Sequence, residues 1–143
     1  MKGPIQSVEI TYLIHGTEDE QKVEGAIVKV LAIEAQPAVE RLEGHFGNEI
    51  LSVRLHIVGE EANLAFKAVV ARLPKDLKAG LLGNIGAFID EHSSFFLRLD
   101  KQQLVAGTLA LGSGDSVRLK VKPRLFLLKG GAAEFYGRLI GES

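Results

Sequence analysis

The chain has 143 residues and a formal net charge of −1, and 46% of its residues are hydrophobic. This composition is typical of a globular protein, and no apolar stretch approaches the ~20 residues that span a bilayer. The absence of cysteine excludes disulfides and cysteine-ligated zinc. We predict one domain over residues 1–143, a cytoplasmic location and no membrane contact. Because the chain as a whole is not basic, binding to nucleic acid would require a local basic patch.

The N-terminal segment predicts a strand followed by a helix. Hydrophobic residues alternate from Ile5 to Ile14, and the strand ends at His15-Gly16. Thr17 and Glu20 have the spacing of a capping box, and apolar residues then recur at helical spacing until Pro37.

The middle of the chain predicts a hairpin and two helices. The hairpin strands are Val39–Glu43 and Glu49–Val58, joined by the loop Gly44–Asn48. Helices are expected over about residues 60–73 and, after a proline, over about 74–89.

Glycines recur every three residues in the second of these helices, at Gly80, Gly83 and Gly86. The pattern lacks the Gly-Lys-Ser/Thr ending of a phosphate-binding loop. We attribute it to close packing against a neighbouring element or to a frayed helix.

The last third predicts a strand over Phe95–Leu99, a brief helix after it, a second strand, and a final helix from about residue 131 to 140. The whole order, β-α-β-β-α-α-β-β-α, is typical of an α+β two-layer sandwich. We expect a mixed, mostly antiparallel sheet with helices on one face, so that its other face is open to solvent.

The segment from Val117 to Leu125 alternates between apolar and basic side chains. Its polar side carries Arg118, Lys120, Lys122 and Arg124. Side chains on one face of a strand recur every ~6.6 Å, close to the spacing of phosphates along an extended nucleic-acid strand. Like charges on one face repel, so either acidic side chains on neighbouring strands or an external polyanion neutralises this series.

Outward positions on the other predicted strands add Arg54 and Arg98, whereas acidic residues cluster at helix starts. A chain of balanced charge can therefore carry one basic face. Pro123 cannot donate a backbone hydrogen bond, which predicts that the basic strand lies at a sheet edge or carries a bulge.

Two further segments have alternative interpretations. The Gly44–Asn48 loop is either a plain hairpin connection or a loop that exposes His45 and Phe46 for stacking on a base. In the segment Leu97–Gln102, either Asp100 is a helix cap, or Arg98, Lys101 and Gln102 donate to a nucleic-acid backbone.

Nothing in the chain indicates catalysis. The four histidines have no metal-ligand spacing, and Ser113 lies in Gly-Ser-Gly rather than in a nucleophile elbow. We therefore predict no catalytic residue, no metal site and no cofactor.

Three motifs occur in the order His15–Asp19, Leu42–Asn48 and Leu97–Gln102. Together they resemble the archaeal family of small predicted RNA-binding proteins, also described as predicted exosome subunits, and the resemblance covers essentially the whole chain. It implies RNA as a partner, a link to RNA processing, and the fold of the large-subunit ribosomal protein that binds 5S ribosomal RNA.

The sequence thus predicts a non-enzymatic protein that contacts RNA phosphates through a basic sheet face. The predicted RNA-binding residues are Arg118, Lys120, Lys122, Arg124, Arg98, Lys101, Arg54, His45 and Phe46. The alternative is a protein-interaction module or homodimer that binds an acidic protein partner, because an open sheet face and a strand edge are natural partner surfaces.

Overall fold

A five-stranded antiparallel sheet forms the centre of the molecule. The computed structural model describes residues 3–31, 36–44, 47–128 and 130–141. The strands are β1 (Ile5–His15), β2 (Ala38–Glu43), β3 (Glu49–Val58), β4 (Phe95–Asp100) and β5 (Ser116–Pro123). They lie in the order β2-β3-β1-β5-β4, and every strand pairing in the described ranges is antiparallel.

The helices are α1 (Glu20–Leu31), α2 (Gly59–Arg72), α3 (Lys75–Gly83), α4 (Lys101–Val105) and α5 (Ala132–Gly141). No helix within the described ranges is long and apolar enough to cross a membrane. The predicted α+β class is confirmed.

The core lies between one face of the sheet and the helices. Side chains of β1 and β5 alternate in burial, so that Val8 and Ile10, for example, are buried while Glu9 is not. On the helix side, the Tyr136 ring of α5 packs 5.3 Å from the Phe95 ring of β4, and its hydroxyl donates to the Val121 carbonyl at 3.2 Å. Period-two patterning in the strands thus produces one apolar face under the helices and one open face.

Helix α1 begins later than the capping-box spacing predicts. Asp19 Oδ1 accepts hydrogen bonds from the backbone N–H groups of Gln21 at 3.0 Å and Lys22 at 3.2 Å. Asp19 rather than Thr17 therefore satisfies the free donors of the first turn.

The glycine repeat does not mark a tight helix contact. Helix α3 ends at Gly83, and a 3₁₀ turn, Ile85–Phe88, follows. A Cβ placed on Gly80, Gly83 or Gly86 would meet no atom within 4 Å. The close-packing interpretation is wrong, whereas the early end of the helix agrees with the frayed alternative.

The basic strand β5 is not at an edge, because it lies between β1 and β4. Its pairing with β1 is irregular at one end, where Pro123 is opposite Ile5 and Lys122 is opposite Ser7. The extra residue on β1 and the terminal position of Pro123 in the strand explain how a proline is accommodated. The edge alternative is therefore wrong, and the bulge lies in the pairing of β5 with β1, with its extra residue on β1 rather than on the basic strand.

Candidate functional site

The basic side chains of β5 lie on the open face of the sheet, as the alternation predicts. Arg118 and Lys122 are exposed, and Lys120 is half-buried. The Lys120 ammonium lies 5.5 Å from the centroid of the Phe96 ring on β4, a cation–π contact that directs this side chain along the sheet surface.

A second line of positive charge runs across the strands. In the sheet register, Arg118 of β5 is directly opposite Arg98 of β4 on one side and Thr11 of β1 on the other. Arg54 of β3 is in turn opposite Thr11. Adjacent strands are ~4.8 Å apart, so three arginines lie in one row over four strands. We call Arg54, Arg98, Arg118, Lys120 and Lys122 together the basic face.

The cations of the basic face have no direct ion-pair partner among the described residues. In the described parts of the chain, none of its five side chains has a carboxylate oxygen within 4.0 Å. Glu9 is opposite Lys120 in the register, but its Oε2 lies 3.8 Å from Nδ1 of His56 instead. Of the two alternatives for the charge of β5, internal pairing by acidic neighbours is therefore absent from the described structure.

A shallow recess of about 300 Å³ lies between Arg54 and Arg118. Thr11 and Ser52 contribute hydroxyl groups to its lining. Ser116 also lines it, and its Oγ is buried without a hydrogen-bond partner among the described residues. Asp115 also lines this recess, but its Oδ2 contacts the Lys101 ammonium, so the arginines and hydroxyl groups remain available to an oxyanion such as a phosphate.

Lys101 does not belong to the basic face. Its side chain is 0% exposed, and its ammonium donates to Glu18 Oε1 and to the Leu13 carbonyl, each at 2.7 Å. The same nitrogen lies 2.7 Å from Asp115 Oδ2. Its prediction as an RNA contact is therefore wrong, because a buried ammonium with three oxygen partners cannot reach a ligand.

The carboxylates around Lys101 also lie near a histidine. Ligand atoms of His15, Glu18 and Asp115 are within 4.8 Å of one another, an arrangement that could hold a metal ion. The Lys101 ammonium already contacts both carboxylates, so a protein cation fills this position. Burial alone would raise the pKa of the Glu18 carboxyl, but hydrogen bonds from the His15 backbone N–H and from Lys101 outweigh it and lower that pKa.

We call Lys101, Glu18 and Asp115 together the buried charge cluster. The cluster joins segments that the sequence analysis treated separately. Glu18 comes from the loop after β1, Lys101 from the start of α4, and Asp115 from the loop before β5. Asp100 caps α4, accepting from the Gln103 N–H at 2.9 Å, as the helix-cap interpretation predicts. A signal in the sequence could have indicated the cluster. The motifs His15–Asp19 and Leu97–Gln102 each lie at the end of a strand and contain one of its charged residues, Glu18 and Lys101.

Among the remaining predicted residues, Arg124 is not part of the basic face. Arg124 follows the end of β5 and is half-buried, and its Nε is buried without a hydrogen-bond partner in the described ranges. The structure therefore separates it from the other three cations of the series. His45 and Phe46 lie outside the described residues.

The loop that contains them is a hairpin connection between β2 and β3, as predicted. The Gly44 N–H donates to the Asn48 carbonyl, and the Gly47 N–H donates to the Gly44 carbonyl at 3.0 Å. Gly47 has φ +80°, a conformation that favours glycine.

Comparison with known proteins places this geometry in a family. A family model described as RNA binding matches residues 7–123, which include all five strands except the first two residues of β1. The chain belongs to this RNA-binding family. The residues that the family model matches include every member of the basic face and of the buried charge cluster.

Relatives of this RNA-binding family member come from archaea. RNA-binding protein PAB1135 of Pyrococcus abyssi is 30% identical over 138 residues, which cover 90% of each chain. An uncharacterized protein of Methanocaldococcus jannaschii, MJ0213, is 27% identical over 79% of this chain and 80% of its own length. The solved structure of Mth689, a DUF54 protein from Methanothermobacter thermautotrophicus, matches with a TM-score of 0.74 and 29% identity, covering 96% of this chain and 98% of its own.

Proposed function

We propose that this protein is a non-enzymatic RNA-binding protein whose basic face contacts the phosphates of a single strand. The observation that carries the proposal is the position of Arg98 directly opposite Arg118, on a solvent face, with no carboxylate oxygen within 4.0 Å of either guanidinium in the described residues. Membership of the RNA-binding family and the printed name of the Pyrococcus relative support RNA as the polyanion.

Protein stability alone does not favour this arrangement. Like charges directly opposite each other on neighbouring strands destabilise a sheet, and here a third arginine lies in the same row. A bound polyanion reverses the sign of the interaction, because each guanidinium then gains a phosphate in fork geometry. The basic face therefore gains favourable electrostatic interactions when an anion is bound.

Such contacts position a nucleic acid but carry little sequence information. We expect the protein to bind many RNA sequences with similar affinity through this face. The link to RNA processing and to the exosome rests on the family resemblance of the sequence motifs alone, as does the likeness to a ribosomal protein.

The proposal is tested by comparing a single-stranded oligoribonucleotide with an oligoglutamate of the same charge in equilibrium binding measurements. We expect the RNA to bind more tightly, because the spacing of its phosphates is close to the ~6.6 Å repeat of side chains on one face of a strand. The double variant Arg98→Gln/Arg118→Gln should weaken RNA binding by roughly tenfold or more. The matched control is Lys67→Gln/Arg72→Gln, two exposed cations of α2 on the opposite layer, and it should leave binding unchanged.

Equal weakening by the two double variants would show that the RNA has no preferred face. Tighter binding of oligoglutamate than of RNA would instead favour the acidic protein partner.

A further inference from the structure

A recess of about 380 Å³ lies at the outer edge of β4, next to the basic face. Its lining includes Phe88, Ile89, Asp90, Phe96, Arg98 and Leu111. We infer that this recess receives one unpaired nucleobase, stacked on Phe96, from the strand whose phosphates lie on the basic face. The inference rests on the proposed function and adds a base contact to it.

Two segments that cross the ends of β4 form the walls. A bridge pairs Ile89 with Phe95 near the start of the strand, and a second pairs Leu111 with Leu99 near its end. The Gly112 N–H donates to the Arg98 carbonyl at 3.0 Å and fixes the second wall. The recess is therefore held open by backbone pairing on both sides.

The floor of the recess is an aromatic ring that is not part of the buried core. Phe96 points to the open face and is 37% exposed. Lys120 approaches this ring from β5, whereas the recess lies towards the other side of β4, so the ring lies between the Lys120 ammonium and the recess. A base stacked on such a ring next to a cationic track is the usual arrangement in single-strand binding.

The polar groups of the recess favour a base over a phosphate. Asp90 Oδ1 accepts hydrogen bonds from the backbone N–H groups of His92 at 2.9 Å and Ser94 at 2.8 Å, which fixes a carboxylate in the lining. A carboxylate repels a phosphate but accepts hydrogen bonds from the N–H groups on base edges. Arg98 lines both this recess and the basic face, so a phosphate held there leaves the adjoining base near Phe96.

The test compares a short oligoadenylate with an abasic ribose-phosphate strand that has the same number of phosphates. The wild-type protein should bind the oligoadenylate about 5- to 150-fold more tightly, as expected for one stacked base. Phe96→Leu should remove most of this preference, and Phe96→Tyr should retain it. Neither variant should change the salt dependence, which counts phosphates. Leu64→Ala, an exposed apolar residue of α2, is the control and should behave as wild type.

The outcomes separate the two proposals. Salt-dependent binding of equal strength to both strands would overturn the base site and leave the RNA-binding face intact. A preference for oligoadenylate that survives in Phe96→Leu would also overturn the site. Absence of salt-dependent binding to either strand would overturn both proposals.

Discussion

The Lys101 ammonium lies 2.7 Å from Asp115 Oδ2, so a fully buried cation of α4 holds the loop that precedes the basic strand β5. The same ammonium binds Glu18 and the Leu13 carbonyl. An ion pair of this kind stabilises only when every donor is satisfied, and here three oxygens surround the nitrogen. The cluster therefore stabilises the position of the loop before β5, beside the basic face.

Replacing Lys101 with methionine should be strongly destabilising, because Glu18 and Asp115 would then lose their common cation. We expect a loss of about 3 kcal/mol, the lower end of the range for breaking a buried ion pair, since Asp115 is still accessible to water. The thermal midpoint should fall by roughly 10 °C. Lys122→Met on the open face is the matched control and should be neutral or slightly stabilising, and a similar fall in both variants would contradict the account.

The stability of the protein should fall in acid partly through Glu18. Its pKa is lowered in the folded state below the ordinary value of 4.5, so its contribution is fully present above about pH 4.5 and is lost as the pH falls through the folded value. Glu18→Gln should therefore be less stable than wild type at pH 7, and the difference should shrink below pH 4.5. Urea unfolding at several pH values measures it, and a difference independent of pH would be inconsistent with this role.

The conformation of Gly47 predicts a backbone effect in the hairpin loop. With φ +80°, an alanine at this position should cost about 1 kcal/mol or more. Gly80→Ala is the control, because that glycine lies within α3 with open space around a Cβ, and alanine should stabilise it by about 0.5–1 kcal/mol. Changes in unfolding free energy of the same sign for both variants, relative to wild type, would disprove this assignment.

The opposed arginines predict a conflict between stability and binding. Arg98→Gln should stabilise the free protein by on the order of 0.2–1 kcal/mol, because it removes a like charge directly opposite Arg118. The same variant should bind RNA more weakly. Denaturant unfolding in low salt measures the first effect, and a destabilised Arg98→Gln would mean that the arginine has a structural partner instead.

Sequence patterning predicted those features that depend on neighbouring residues in the chain. Alternation placed Arg118, Lys120 and Lys122 on one face, and the loop Gly44–Asn48 between two alternating segments predicted the hairpin. Of the two alternatives that Pro123 allowed, the edge position is wrong, since strand order depends on pairings that a single strand does not encode.

The burial of Lys101 could not be predicted in this way. Its partner Glu18 is 83 residues away, and the order of the strands in the sheet brings the two together. The row through Arg98, Arg118 and Arg54 likewise depends on the register of four strands. Both features are long-range, so charge patterns within single segments did not distinguish a buried lysine from an exposed one.

The salt dependence of single-stranded RNA binding tests the central claim most directly. If all five cations of the basic face neutralise a phosphate, the slope of log affinity against log salt should be about −3.5, from about 0.7 per contact. Lys120→Gln/Lys122→Gln should flatten that slope by about 1.4 and weaken all RNA sequences alike. A well-folded double variant that binds RNA with the wild-type slope would contradict the assignment of the basic face.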